Sequence, residues 1–286
     1  MFFYIRGMKT TLLFLSVFLA ANLFGQSTYF DSGIEHHKQG EYQEAIDDYN
    51  SAIKNDPNDA DAYVNRGVAY HNLGKHQEAI DDFNTAIKIN PNYAKAYYNR
   101  GMVCKKLGRY QEAIADYTTA IKINPDDADA YVNRGAAYDD LGRYQEAIAD
   151  YTTAIKINPD EANAYVNRGV VCIKLGKYQD AIDDNTTAIK INPDFADAYV
   201  NRGAAYDDLG RHQEAIDDCN TAIKINPDNA DAYNNRGFYY YKLGKYQEAI
   251  NDYNTAIKIN PDDADAYVNR GAAYDDLGRY QEAIAD

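Results

Sequence analysis

The sequence predicts an all-α protein, an α-solenoid of about eight helix-turn-helix units, and three observations carry that prediction. All seven prolines (Pro57, Pro91, Pro125, Pro159, Pro193, Pro227 and Pro261) stand 34 residues apart, each between residues that are Asp or Asn. Apart from Gly7 and Gly25, the 18 glycines form two series of the same period, from Gly33 to Gly271 and from Gly40 to Gly278. Apolar residues between them recur every three or four positions, as on a helix with one buried stripe.

Ala60 to Tyr93 serves as the reference repeat, with positions numbered 1 to 34. The solenoid then spans 26–286, with repeats at 26–59, 60–93, 94–127, 128–161, 162–195, 196–229 and 230–263 and a partial eighth at 264–286. In the reference repeat Ala60, Tyr63, Gly67, Tyr70 and Leu73 lie on one face of a helix of about 14 residues. Gly74 ends it, because glycine enters the left-handed conformation that satisfies the last carbonyls. A second helix follows from about His76, with Ala79, Ile80, Phe83, Ala86, Ile87 and Ile89 inward. Pro91 stops it, lacking an N–H and forcing the residue before it to extend. The flanking Asn and Asp supply turn and N-cap oxygens for the next helix.

Position 8 is Gly in every repeat, although glycine inside a helix costs about 1 kcal/mol relative to Ala. With Ala at positions 20 and 27 it makes small surfaces where two antiparallel helices approach closely. Aromatics at positions 4, 11, 17 and 24 fill the space around that contact, which accounts for 28 tyrosines in a chain without Trp.

A large or aromatic residue at 4, Gly at 8, Tyr at 11, Ala at 20, an aromatic at 24, Ala at 27 and Pro at 32 resemble the tetratricopeptide repeat family over Gln26 to Asp286. The resemblance implies antiparallel helix pairs stacked into a right-handed superhelix. First helices would line a concave groove that receives peptides or partner proteins. The chain departs from the family at position 7, where seven repeats carry Arg (Arg66, Arg100, Arg134, Arg168, Arg202, Arg236, Arg270) in place of the usual Leu. An Asn-Arg-Gly signature at positions 6 to 8 therefore marks a subtype. Position 24 is irregular too, being Asn185 in the fifth repeat and Cys219 in the sixth.

Two polar rows accompany the apolar pattern. Asp fills position 23 from Asp48 to Asp286 and suggests ion pairs with the arginines. Such pairs run either within a repeat (Arg66 with Asp82) or between neighbours (Asp48 with Arg66). We favour the second scheme, since Ser32 stands where the first repeat would need an Arg for Asp48. Asn fills position 6 in seven repeats: Asn65, Asn99, Asn133, Asn167, Asn201, Asn235 and Asn269. This row resembles the asparagine ladder in the superhelical domain of O-GlcNAc transferase, which grips extended peptide backbones. A carboxamide donates and accepts, so these seven are the candidate peptide-binding residues; the competing reading is local hydrogen bonding within each helix.

Positions 12 and 13 alternate in charge, as in Lys105-Lys106, Asp139-Asp140 and Ile173-Lys174. The true period is therefore 68 from the third repeat on, and Ala128 to Asp150 is identical to Ala264 to Asp286. Alternation suits either salt bridges between repeats or a striped recognition surface.

The net charge of −15 disfavours nucleic acid and anionic lipid as partners. Cys104, Cys172 and Cys219 have no metal-ligand spacing and stand where other repeats place Tyr, as buried thiols. No catalytic constellation, metal site or cofactor motif is found; Gly67 to Lys75 has the wrong spacing for a phosphate loop. Residues 1–25 read as a signal peptide, with Arg6 and Lys9, an apolar run from Leu12 to Ala21, and cleavage near Ala21 or Gly25.

The expected protein is thus a secreted or periplasmic non-enzymatic scaffold for a protein or extended peptide, in envelope complex assembly, with no membrane span after signal removal. An uncleaved N-terminal segment would instead anchor it to a membrane. Two other readings stay open: the targeting or regulatory repeat region of a longer protein with a C-terminal sensor or enzyme domain, and self-association through the C-terminal edge.

Overall fold

The computed structural model describes residues 28–285. The expected signal segment and Asp286 lie outside the described residues. The chain runs from α1 (28–38) through α2 (Tyr42–Asn55), α3 (Ala60–Asn72), α4 (His76–Ile89), α5 (Ala94–Lys106), α6 (Tyr110–Ile123), α7 (Ala128–Asp140) and α8 (Tyr144–Ile157). It continues with α9 (Ala162–Lys174), α10 (Tyr178–Ile191), α11 (Ala196–Asp208), α12 (His212–Ile225), α13 (Ala230–Lys242), α14 (Tyr246–Ile259), α15 (Ala264–Asp276) and α16 (Tyr280–Ala285). No strand occurs among the described residues. They divide into two compact parts, up to Ala137 and from Tyr138.

The glycine turns form as expected. Gly74 has φ +76°, and all eight position-15 glycines have positive φ. Lys75 N–H then donates to the Tyr70 carbonyl at 2.9 Å, closing α3 against α4. At the other end Asn90 is extended (φ −128°), as the proline after it demands. N-caps vary more than expected. Asp59 and Asn229 cap α3 and α13 through their side chains, but Tyr93, Glu161 and Phe195 stand at the same place and make no side-chain cap bond.

Position 8 has a more specific task than close helix approach. A Cβ on Gly67 would lie 2.7 Å from the Phe83 ring, and one on Gly101 2.9 Å from Tyr117. The position-24 ring is therefore seated directly on the glycine, and any side chain there would displace it. Around this contact Ala79, Phe83 and Ala86 are fully buried, as are Ala113 and Tyr117 in the next repeat.

Within each part hairpin partners pack on each other, as α3 on α4 and α11 on α12, and second helices pack on the hairpin that follows, as α4 on α5 and α12 on α13. First helices also touch one another, α3 with α5 in the first part, and α9 with α11, α11 with α13 and α13 with α15 in the second. Second helices make no such mutual contact among the described residues. First helices thus occupy the crowded, inner side of each part, where the position-6 row sits.

Candidate peptide-binding row and the arginine clamps

The position-7 arginines set the rotation of the first helices that carry them. In α3, Arg66 Nε and Nη2 donate to Asp82 Oδ2 and Oδ1 of α4 at 2.8 and 2.6 Å. The same two-point pair joins Arg100 to Asp116, Arg168 to Asp184, Arg202 to Asp218 and Arg236 to Asp252. The between-neighbour register favoured from the sequence is therefore corrected: these pairs run within a repeat. The reason is geometric, since positions 7 and 23 face each other across the antiparallel hairpin. Asp48, left without an arginine, lies 2.8 Å from His36 Nδ1, so the first repeat uses a histidine at position 11 in its place.

The carboxylates are 7 to 9% exposed and the guanidinium side chains 17 to 24%, so these pairs are shielded well beyond an ordinary surface ion pair. Burial pushes the Asp82 and Asp218 carboxyls above the usual range, against the pull of their arginines. Hydrogen bonding to Asp holds Arg100, Arg168, Arg202 and Arg236 above the ordinary guanidinium value.

The third guanidinium nitrogen has a partner that the sequence reading missed. Nη1 of Arg66 donates to Asn50 Oδ1 of the preceding repeat at 2.5 Å, Arg168 to Thr152 Oγ1 at 3.0 Å and Arg236 to Asn220 Oδ1 at 2.6 Å. The available signal was position 25, which is Asn or Thr in every complete repeat. Arg66, Arg100, Arg168, Arg202 and Arg236 thus each close their own hairpin and tie it to the one before. One face of each guanidinium also rests on the position-4 tyrosine, as Arg66 on Tyr63 at 5.3 Å.

The position-6 asparagines fall into distinct environments. Asn99 is buried, and its Nδ2 donates to the Lys95 carbonyl at 2.8 Å. Asn133 Nδ2 donates to the Asp129 carbonyl at 2.9 Å and to Tyr98 Oη at 3.0 Å. Asn269 Nδ2 donates to Asn234 Oδ1 at 3.2 Å. Asn65, Asn167, Asn201 and Asn235 are half-buried, and no side-chain hydrogen bond within the fold engages them among the described residues. Local bonding therefore accounts for Asn99 and, in part, Asn133, while these four carboxamides remain uncommitted.

The alternating charges meet across repeats. Lys174 Nζ donates to Asp139 at 2.8 Å, Lys242 lies 4.0 Å from Asp207, and Tyr241 Oη donates to Asp276 at 2.5 Å. This geometry fits inter-repeat bridging. All three cysteines are free and buried, and burial raises their thiols, Cys219 to about 12, which makes them poor nucleophiles. Among the described residues no group of three or more His, Cys, Asp or Glu is placed to hold a metal ion, and no helix is long and apolar enough to cross a membrane.

Comparison with known proteins agrees with this architecture. A family model described as Tetratricopeptide repeat matches residues 60–93, 94–127, 128–161, 162–195 and 196–229. A second, described as TPR repeat, matches 33–74 and 239–278, and a third, again described as Tetratricopeptide repeat, matches 219–251. No curated protein matched in a sequence search. Among solved structures, a chain of the APC/C hetero-tetramer Cut9-Hcn1 superposes with a TM-score of 0.70 at 21% identity, over 84% of this chain; the match spans 48% of that chain, about half its length. A tetratricopeptide repeat protein from Parabacteroides merdae gives 0.68 at 19% identity, over 91% of this chain and 99% of that one. YrrB, described as a TPR protein with an unusual peptide-binding site, gives 0.55 at 23% identity, over 64% of this chain and 95% of its own. The chain belongs to the tetratricopeptide repeat family, whose proteins are in general protein–protein interaction scaffolds that bind peptides or proteins.

Proposed function

We propose that this protein is a non-enzymatic scaffold of an Asn-Arg-Gly subtype, which holds an extended peptide or a segment of a partner protein along its first helices. The observation that carries the reading is the set of carboxamides on Asn65, Asn167, Asn201 and Asn235, half-buried and uncommitted within the fold. Such groups pair with peptide N–H and C=O irrespective of side chain, giving affinity with little sequence preference. The arginine clamps beneath them hold each first helix in a fixed rotation, so the row is organised before any partner arrives. The peptide-binding site of YrrB, a structural relative, supports the same use of the fold.

The test is a panel of unstructured peptides bound to wild type and to the triple variant Asn167→Ala, Asn201→Ala, Asn235→Ala. Binding should fall by about tenfold or more with helicity intact, while Asn99→Ala, whose side chain is turned to its own helix, changes binding little. Unchanged binding in the triple variant removes the row from the mechanism.

The segment 1–25 supports export to the periplasm or the exterior, and a role there in assembling envelope complexes; retention of the segment would make the same scaffold membrane-anchored. Fractionation of cells expressing a tagged full chain separates these placements. Two further readings have their own support. Self-association is favoured by the exposed Val268, Tyr280 and Ile284, and predicts a mass in light scattering that rises with concentration. A place as the targeting arm of a longer protein is supported by the larger Cut9-Hcn1 chain, and is tested by reading the coding sequence beyond Asp286.

A further inference from the structure

Two clefts, of about 310 and 330 Å³, open at the same repeat positions in the third and fifth repeats. Ile80, Arg100, Cys104, Arg109, Ala115 and Asp116 line the first, and Ile148, Arg168, Cys172, Lys177, Asp183 and Asp184 line much of the second. None of the position-6 asparagines takes part. Both clefts lie beside a cysteine at position 11, where most other repeats carry tyrosine.

The sister repeats show what chemistry this space accepts. In the sixth repeat two guanidinium groups lie over the Tyr206 ring, Arg211 at 4.3 Å and Arg202 at 5.8 Å from its centroid. Two cations likewise lie over Tyr70, Arg66 at 5.9 Å and Lys75 at 5.8 Å. Tyr138 and Tyr274 carry Arg143 and Arg279 at 4.6 Å. In the third repeat the same two cations, Arg100 and Arg109, flank the cleft with no ring between them. Their edges are already engaged, Arg100 on Asp116 and Arg109 on Glu112. Arg100 lies over one ring, Tyr97 at 5.6 Å, whereas Arg202 lies over two, Tyr199 at 5.5 Å and Tyr206 at 5.8 Å. A guanidinium bonded along its edges still offers its weakly hydrated faces to a π system, and the Tyr206 repeat does this with the Arg211–Glu214 pair intact.

We propose that the clefts at Cys104 and Cys172 are binding sites for a single aromatic ring of phenol size, held between the cations of positions 7 and 16 and against the apolar wall of Ile80 in the first and Ile148 in the second. The ligand ring takes the place that the protein's own tyrosine fills in the sister repeats. Its source is either a free small aromatic molecule or the aromatic side chain of a bound polypeptide, and the chemistry of capture is the same. This site is independent of the asparagine row.

The experiment titrates the full chain with p-cresol, which is the tyrosine side chain as a free molecule, with N-acetyl-tyrosinamide, and with 4-methylcyclohexanol, all followed by ligand-observed NMR. The expected result is saturable binding of p-cresol and weaker binding of the saturated analogue, by about tenfold, since the ring face supplies the attraction. Binding of N-acetyl-tyrosinamide as well assigns the site to a polypeptide side chain; its exclusion assigns it to a free aromatic. The double variant Cys104→Tyr, Cys172→Tyr restores the sister-repeat residue and should abolish binding. As a second variant that leaves the packing in place, Arg109→Gln with Lys177→Gln should weaken p-cresol severalfold. The proposal is overturned if neither aromatic binds wild type, if the tyrosine variant binds as well as wild type, or if 4-methylcyclohexanol binds as tightly as p-cresol.

Discussion

The second and fifth repeats share one backbone and differ in what fills it. Both pair a 13-residue helix with a 14-residue one, both turn through a glycine of positive φ, and both close with an arginine clamp whose shorter bond is 2.6 Å. Where the second places the fully buried Phe83 ring on Gly67, the fifth places Asn185, also fully buried, on Gly169. Asn185 Nδ2 turns back to the Ala181 carbonyl at 2.8 Å, while its Oδ1 has no hydrogen-bond partner. Tyr70 in one is Cys172 in the other, and the 330 Å³ cleft opens there. The shape of a repeat is thus carried by its small residues, its turns and its ion pair. The aromatic positions decide how densely that shape is filled.

If the frame is common to both repeats, breaking its clamp should be equally damaging in each. Arg66→Ala and Arg168→Ala should each destabilise the local hairpin by about 3 kcal/mol, because a carboxylate under 10% exposed loses its counter-charge. Native-state hydrogen exchange of α4 and α10 reads this locally, which matters in a repeat array where global unfolding is not one cooperative step. A much smaller loss in the fifth repeat would mean that packing, not the clamp, sets the shape.

The glycine seat should separate repeats by what sits on it. Gly67→Ala drives a methyl into the Phe83 ring and should lose about 1 to 2 kcal/mol after the helix-propensity gain is set against it. At Gly203, opposite Cys219, the nearest atom is the Ala215 carbonyl oxygen at 3.2 Å, so Gly203→Ala should be clearly milder. Equal losses, read from the same exchange experiment, would detach the glycine from the ring.

Filling the fifth repeat is the converse change. Asn185→Phe copies the second repeat, adds apolar burial and removes an unsatisfied oxygen, for a gain of about 1 kcal/mol in slowed exchange of α10. Loss of stability would show that the fifth repeat has relaxed around its asparagine.

The smallest effect concerns pH. Burial holds the His71 imidazole below its ordinary value of 6.5, with His76 and Lys106 acting in the same direction, and burial lowers His37 as well. A base whose folded value is depressed contributes stability that is present above the unfolded value and is lost as pH falls through the folded one. Acidification from pH 7.5 to 5.5 should therefore lower the urea midpoint of the first part of the chain. His71→Gln should flatten that slope slightly; an unchanged slope would locate it elsewhere.

How much of this was readable beforehand follows from which facts repeat. Gly74 and Pro91 punctuate the chain in phase with their counterparts, so helix limits and turn conformation could be read directly. The clamp register could not, because Arg66 is 16 residues from Asp82 and 18 from Asp48, a difference that only the facing of two helices resolves. The reach of Nη1 to position 25 was equally hidden, although an unbroken column of Asn and Thr hinted at an acceptor. The row at position 6 looked uniform and is not. Tyr98 at position 5 of the third repeat, where most repeats carry Val, is the hydroxyl that engages Asn133 of the fourth.

The cross-repeat arginine bond bears on how such a chain grows. Because every junction uses the same donor and takes either an Asn, as Asn50, or a Thr, as Thr152, as acceptor, a copied 68-residue block meets compatible chemistry at both of its new boundaries. Insertion by unequal recombination then adds repeats without any compensating substitution. Repeat number becomes a quantity that selection can adjust freely, and the identity of Ala128–Asp150 with Ala264–Asp286 is the trace expected of such a history.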